Sequence, residues 1–417
     1  MLGRLICGFA GSNVTNRGET PLAFSLPKIA FLDLEGTLLK KTIHLDDGRV
    51  APSVWTVIAE ELGSNALAEE NETKDRWGRN EYPSYIAWMR DTVRIHEKYG
   101  LTEAQFQKAI NDVEFMDGLD DLMSFLKENR IVTCIITGAF KELANRVALK
   151  YEVAHAIAAC QYHFGSNRTL TYAEYFPSDY FGKVDFMKIM MREYQLTPYD
   201  AIFIGDGKND VSLAKSVSVS FAFNAQIELR EVSTEIVDQP SGGETLAEIV
   251  RLLKNPTKKM SDAIEVPHTP KFKGAPLSIT EQRCKQLWKE AMWARHSAYA
   301  PYSGFRVGAA ILAPGHTPQE DQIFTGANFE NAAYGSTICA ERSAVAKMIS
   351  GGQKNIKAIA IVSDSNEPVP PCGACLQVIS EFGASADILL CGRDGLIECH
   401  TLDTLLPRRF ELKGHYR

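Results

Sequence analysis

Ile29-Ala30-Phe31-Leu32-Asp33-Leu34-Glu35-Gly36-Thr37 decides the architecture of the first half of this chain. Four apolar residues without polar alternation mark a strand buried on both faces, and such strands belong to parallel sheets covered by helices. The run ends in a carboxylate. The arrangement returns twice: Ile131-Val132-Thr133-Cys134-Ile135-Ile136 runs into Thr137, and Ala201-Ile202-Phe203-Ile204-Gly205 runs into Asp206. Helical patterns lie between these runs, so the first half is expected to be an α/β unit with a Rossmann-like parallel sheet. Polar residues at the carboxyl ends of its strands then meet at the rim where open α/β sheets take their ligands.

Asp33 and Glu35 stand two residues apart, and Gly205-Asp206-Gly207-Lys208-Asn209-Asp210 brings two further carboxylates. Acids gathered in this way repel one another unless a hard cation lies among them, and Mg²⁺ prefers oxygen ligands. Thr137 and Lys183, the latter in Phe181-Gly182-Lys183, offer a hydroxyl and an ammonium to phosphoryl oxygens. In this order, residues 27–254 resemble the haloacid dehalogenase (HAD) superfamily of phosphatases. The resemblance implies Asp33 as the nucleophile that becomes an aspartyl-phosphate. It implies Glu35 as general acid/base, at a position where the family usually has Asp. It further implies Thr137 and Lys183 as the phosphoryl-binding pair, and Asp33, Asp206 and Asp210 as Mg²⁺ ligands. Between Thr37 and Thr137, helix-like segments at 52–62, 82–99 and 102–113 carry Trp55 and Trp88. They read as a helical cap inserted over about 42–115, resembling the phosphoserine-phosphatase branch, with Arg76, Arg79 and Arg90 as candidates to touch the substrate.

Residues 255–278 hold Pro256, Pro267, Pro270 and Pro276 among several lysines and read as a linker. Beyond it, Ser278-Ile279-Thr280-Glu281 predicts a capping box opening a helix to about Ser297, with Trp288, Ala291 and Met292 turned to a core. Cys339-Ala340-Glu341 and Pro371-Cys372-Gly373-Ala374-Cys375 then bring three thiols and one carboxylate. Three protein ligands leave the fourth position of a zinc ion open, as catalysis requires. Glu341, two residues past a ligand, is placed to move a proton without binding the metal. With Tyr302–Ala310 and Gly326–Tyr334, the stretch 279–417 resembles a cytidine deaminase of the small homotetrameric kind, with an α/β/α fold. The resemblance implies Cys339, Cys372 and Cys375 as zinc ligands and Glu341 as the proton shuttle. Asn328 and Glu330 would meet the ribose hydroxyls, Phe305 would pack on the base, and Phe410 would reach a neighbouring subunit's pocket. Leu376 stands where the family usually has Arg, leaving Arg342 to blunt the thiolate charge.

At 417 residues the chain is long for one core, so two domains are expected. A formal charge of −7 and the lack of a Lys/Arg-rich tract point away from nucleic acid and toward small substrates. No apolar run is long enough to span a bilayer. Nine cysteines, scattered apart from the Cys372/Cys375 pair, suit a reducing compartment, and a cytoplasmic location is expected. Residues 1–26 read as a flexible segment, an organelle transit segment being the other reading. The whole predicts a bifunctional enzyme of pyrimidine salvage. One half deaminates cytidine or deoxycytidine with Zn²⁺; the other hydrolyses a phosphomonoester with Mg²⁺, a pyrimidine nucleoside 5′-monophosphate being the coupled choice. The rivals are a HAD-like domain that binds or regulates without turnover, and one that acts on an unrelated ester such as phosphoserine.

Overall fold

In a computed structural model of the chain, the structure describes residues 25–41, 43–44, 50–51, 53–240, 242–263, 270–275 and 277–410. Nearly all of the 1–26 segment therefore lies outside the described residues.

Ile29–Leu32 runs through the middle of a seven-stranded sheet. On one side lie Val132–Phe140, His155–Phe164 and Leu170–Tyr175; on the other lie Ala201–Gly205, Val219–Phe223 and Glu235–Val237. Ile29 pairs with Val132 and with Ala201, both in parallel register, and only Leu170–Tyr175 joins antiparallel. The unbroken apolar run follows from this position. Ala30 and Leu32 enter one core, while Ile29 and Phe31 enter the core on the opposite face. Each such large side chain, fully buried, contributes about 1.5–3 kcal/mol. The chain winds first to one side of Ile29–Leu32 and later to the other. This reversal opens a crevice at the carboxyl ends of the strands.

The cap consists of helices Val54–Glu61, Ser64–Gly78, Tyr85–Lys98 and Glu103–Asp112. Ser53, Ser84 and Thr102 cap the first, third and fourth of these through their hydroxyls. Sequence reading found those three and missed Ser64–Gly78. Its run Glu69-Glu70-Asn71-Glu72-Thr73-Lys74-Asp75-Arg76 is so polar that no apolar period shows, and only Ala66, Glu70 and Thr73 are buried.

The second sheet has six strands in the order Lys271–Gly274, Leu396–Thr401, Asp387–Cys391, Ala358–Ser363, Val307–Ala313, Gln322–Ala327. Helix Glu281–Arg295 packs on one face through Leu287, Trp288 and Met292. Ala340–Ser350 and Gly373–Phe382 cover the other through Ala344, Met348 and Ile379, which gives the expected α/β/α layering. Two expectations are corrected here. The helix is capped by Thr280, which accepts from the Arg283 amide at 3.3 Å, because Ser278 is engaged by Asp387. The stretch 255–278 is more than a linker: helix Lys258–Ala263 buries Met260 in the first core, and Lys271–Gly274 pairs with Leu396–Thr401. Among the described residues no helix is long and apolar enough to cross a membrane.

The halves meet at Tyr199, which packs into the core of the second domain, edge-on to Trp293 with ring centres 5.4 Å apart. Its hydroxyl lies 3.1 Å from His296 Nε2, and Lys289 reaches Asp200 at 2.9 Å. Truncating a buried aromatic removes its transfer energy and leaves a cavity, so Tyr199→Ala should cost about 3 kcal/mol. Denaturant unfolding followed by tryptophan fluorescence checks this; a change below about 1 kcal/mol would show that the contact does not hold the halves together.

Two candidate active sites

At the carboxyl end of Ile29–Leu32, Asp33 meets Asp206 and Asp210, with one carboxylate oxygen of each lying within 4.8 Å of the others. All three are buried. The Lys183 ammonium, fully buried on helix Phe181–Glu193, donates to Asp33 at 2.7 Å and to Asp210 at 2.5 Å. Lys41 donates to Asp206 at 2.8 Å. Two cations do not fully offset this much acid out of water. Burial first, then repulsion from Asp33, holds the carboxyls of Asp206 and Asp210 well above their usual range. Burial likewise pushes Glu35 up to about 7, against the lowering bond from the Val54 amide at 2.9 Å. An all-oxygen cluster with unrelieved negative charge fits Mg²⁺.

Thr137 sits on the adjacent strand end. Its hydroxyl accepts from the Ala139 amide at 3.1 Å, and Ser178 donates to its carbonyl. Gly36, at φ +85°, lies so close to the cluster that a Cβ there would fall 2.5 Å from Asp206 Oδ2. Only glycine fits this turn. Over the cluster the cap closes a pocket of about 290 Å³, lined on the cap side by Trp55, Glu70, Lys74, Tyr85, Trp88 and Met89.

Arg76, Arg79 and Arg90 do not line this pocket. Arg76 pairs with Asp91 at 3.0 Å, Arg79 with Glu72 and Glu81, and Arg90 is exposed. Charge alone pointed at them, and ion pairs on the cap surface absorb that of Arg76 and Arg79. The charged cap-side groups are Glu70 and Lys74, one turn apart on the helix that sequence reading missed. Lys41 and Asp179 were also missed. Asp179, four residues before Lys183 and 3.8 Å from its ammonium, also accepts from Asn209 at 2.6 Å. Its spacing from the lysine was the one available signal.

In the second half, Cys339 caps helix Ala340–Ser350 and Cys372 caps Gly373–Phe382, with Cys375 in the first turn of the latter. Their sulfurs lie within 4.8 Å of one another, Cys339 and Cys372 at 4.0 Å. A zinc ion with Zn–S bonds of about 2.3 Å spans sulfurs roughly 4 Å apart, so the set fits it. Two helix amino termini face the sulfurs and favour thiolates. The Cys375 thiol, and then Arg342 at 3.7 Å, draw Cys339 down to about 5. Cys375 is in turn held high, because the first thiolate opposes a second without a cation. Glu341 is buried beside them, and burial raises its carboxyl. Leu376 packs in the core behind the helix.

Of the residues expected around the nucleoside, Asn328, Glu330 and Phe305 meet at the 302–307 loop. Asn328 accepts from the Val307 amide at 2.7 Å and donates to the Phe305 carbonyl at 2.9 Å. Glu330 accepts from the Tyr302 and Ser303 amides at 2.8 and 3.2 Å. Both therefore shape the 302–307 loop, and each keeps spare hydrogen-bonding capacity. Phe305 is 40% exposed and Phe410 70%, the latter bonded to Gln377 through its backbone. Behind the loop, Arg295 and Arg306 converge on Asp364 at 2.8 and 3.3 Å, a brace that sequence reading did not find.

Residues 281–391 match the family model of the cytidine and deoxycytidylate deaminase zinc-binding region, and residues 27–217 match that of the haloacid dehalogenase-like hydrolases. A cytidine deaminase of Halalkalibacterium halodurans is 46% identical over 127 residues, covering 30% of this chain and 92% of that protein. The chain belongs to the cytidine deaminase family through its second domain. A haloacid dehalogenase-like hydrolase domain precedes it, so the enzyme is a fusion of two hydrolases. The cytidine deaminase of Sporosarcina psychrophila is likewise 46% identical over 127 residues, 30% of this chain and 90% of that protein. A phosphoserine phosphatase of Pseudomonas syringae pv. tomato is 27% identical over 117 residues, 28% of this chain and 40% of that protein.

The carboxyls of Glu35, Asp206 and Asp210 are raised in the fold, so the stability they contribute is full below the ordinary carboxylate range. It is lost as pH rises through about 7. Mg²⁺ offsets that loss and competes with protons at low pH. Calorimetry should therefore show a larger Mg²⁺-induced rise in Tm at about pH 8 than at about pH 5. Equal rises at both would place the cation elsewhere.

Proposed function

We propose that the second domain deaminates cytidine and deoxycytidine to uridine and deoxyuridine. The observation that carries this reading is the convergence of Cys339, Cys372 and Cys375 beside the buried carboxylate of Glu341. Cys339, Cys372 and Cys375 would hold zinc, which would supply a water acidic enough to react at neutral pH. Glu341 would take a proton from the water that adds to C4 and pass it to N3; it would then take the proton of the new C4 hydroxyl and hand it to the amine, so that the C4–N bond breaks, the C4 carbonyl forms and ammonia leaves. Because burial raises its carboxyl, Glu341 holds the proton well enough to deliver it. Arg342, donating to Cys339, disperses thiolate charge in the place of the Arg that Leu376 replaces. Asn328 and Glu330 meet the ribose, and Phe305 the base. Glu341→Gln should lower cytidine turnover at least about 10³-fold while metal analysis still finds zinc; unchanged turnover would refute the shuttle.

The first domain is read as a Mg²⁺-dependent phosphomonoesterase. Asp33 attacks phosphorus and forms an aspartyl-phosphate, with Thr137 and Lys183 holding the phosphoryl oxygens. Asp33, Asp206 and Asp210 would hold Mg²⁺, which would supply the charge neutralisation that phosphoryl transfer needs. Glu35, raised to about 7 and so able both to hold and to release a proton near neutrality, donates to the leaving oxygen and then takes a proton from the hydrolytic water. Its extra methylene relative to Asp is accommodated by the Val54 amide that fixes its carboxylate.

Fusion supports a shared route in pyrimidine salvage. A pyrimidine nucleoside 5′-monophosphate such as CMP loses phosphate, and the resulting nucleoside loses ammonia. With CMP and Mg²⁺, the intact protein should release phosphate first and ammonia after a lag. Asp33→Asn should abolish both from CMP yet leave cytidine deamination running. Ammonia without phosphate, or CMP left inert while phosphoserine turns over, would break the coupling. Assembly of the deaminase domain as a homotetramer is part of this reading, supported by the exposed aromatics Phe305, Phe329, Tyr334 and Phe410. Sedimentation velocity should find a four-chain species; a monomer fully active on cytidine would remove it.

A further inference from the structure

The pocket above Asp33 has two chemically different ends. Around the acid cluster it is lined by polar groups for a phosphoryl group; under the cap it is lined by Trp55, Tyr85, Trp88 and Met89. Packing holds these rings in place. Trp88 stacks on Trp77 at 5.0 Å with an interplanar angle of 11°, and Trp55 lies 4.1 Å from Phe140. Tyr85 donates to the Gly138 carbonyl at 3.0 Å, next to Thr137, so the aromatic wall is tied directly to the phosphoryl end. Among the described residues two cap-side charges line the pocket, and they cancel: Lys74 meets the buried Glu70 carboxylate at 2.6 Å.

This pairing discriminates among leaving groups. An ammonium-bearing alcohol would gain from the aromatic faces but would find Glu70 already neutralised by Lys74. A zwitterionic amino acid would need a free cation for its carboxylate under the cap, where Lys74 is held by Glu70 and no arginine lines the pocket among the described residues; of the other lysines, Lys41 is held by Asp206 and Lys208 belongs to the turn of the acid cluster. A neutral planar ring meets both requirements, since stacking needs no net charge. An acceptor beside a donor, Glu70 beside Lys74, matches the alternating polar edge of a nucleobase. We propose that the cap half of this pocket is a stacking subsite for the base of a nucleoside monophosphate. Trp55, Tyr85 and Trp88 form its walls, and the Glu70–Lys74 pair reads the ring's edge. The inference rests on the phosphatase reading of the same site and assigns its leaving-group specificity.

The test compares Mg²⁺-dependent phosphate release from CMP, ribose 5-phosphate, phosphoserine and phosphoethanolamine by the intact chain. CMP should exceed ribose 5-phosphate, the same ester without the base, by at least about tenfold in kcat/KM, and the other two should fall with ribose 5-phosphate. Trp88→Ala should shrink the CMP preference by about tenfold, and Trp88→Phe should keep most of it. Any of the three ring-free esters matching CMP would overturn the subsite and leave the phosphatase standing. If no ester is hydrolysed, the phosphatase reading falls and calorimetry with CMP decides the subsite. Stronger binding to Asp33→Asn than to Asp33→Asn/Trp88→Ala supports it, and equal binding overturns it.

Discussion

Like charge gathered at one point is the constraint on which both halves of this enzyme depend. In the first half Asp33, Asp206 and Asp210 share a buried space with one fully buried ammonium, Lys183. In the second, three sulfurs crowd to within 4.8 Å beside the buried carboxylate of Glu341. Neither cluster is stable in isolation. Each is tolerated because rigid elements fix its members and because a cation turns their repulsion into a binding site. Groups raised or lowered by that crowding are then poised to move protons near neutral pH.

The two halves reach this end by different geometry. The acids sit at the carboxyl ends of parallel strands, where the reversal in strand order opens a crevice and buried apolar runs hold the backbone still. The thiols sit at the amino termini of two helices, where backbone dipoles favour anions. Strand ends alone would leave the acids uncompensated, so Lys183 and Lys41 are brought in from other elements. The cap seals the first site with aromatic rings and a neutralised ion pair. The second domain carries exposed phenylalanine and tyrosine.

Tyr199 and Asp200 join the halves through Trp293, His296 and Lys289, all on or just after helix Glu281–Arg295. That helix also forms one layer of the deaminase domain. Burying an aromatic of one domain in the core of the other couples their stability, although their sites face different chemistry.

Local patterns sufficed for much of this. The unbroken run Ile29–Leu32 predicts a doubly buried strand, because apolar residues at every position suit only a strand between two cores. The spacing of Cys339, Glu341, Cys372 and Cys375 predicts a metal site, because two of these cysteines share one helical turn. What the tertiary structure decided is what depends on distance across the fold. Lys41 faces Asp206 through the turn that Gly36 allows, far along the chain from it. Glu70 and Lys74 enter the pocket from a helix whose polar sequence hides its buried face, while Arg76 and Arg79 turn to neighbours on the cap surface and Arg90 faces outward. A charged side chain's partner is set by packing between elements, and no period along the chain records it.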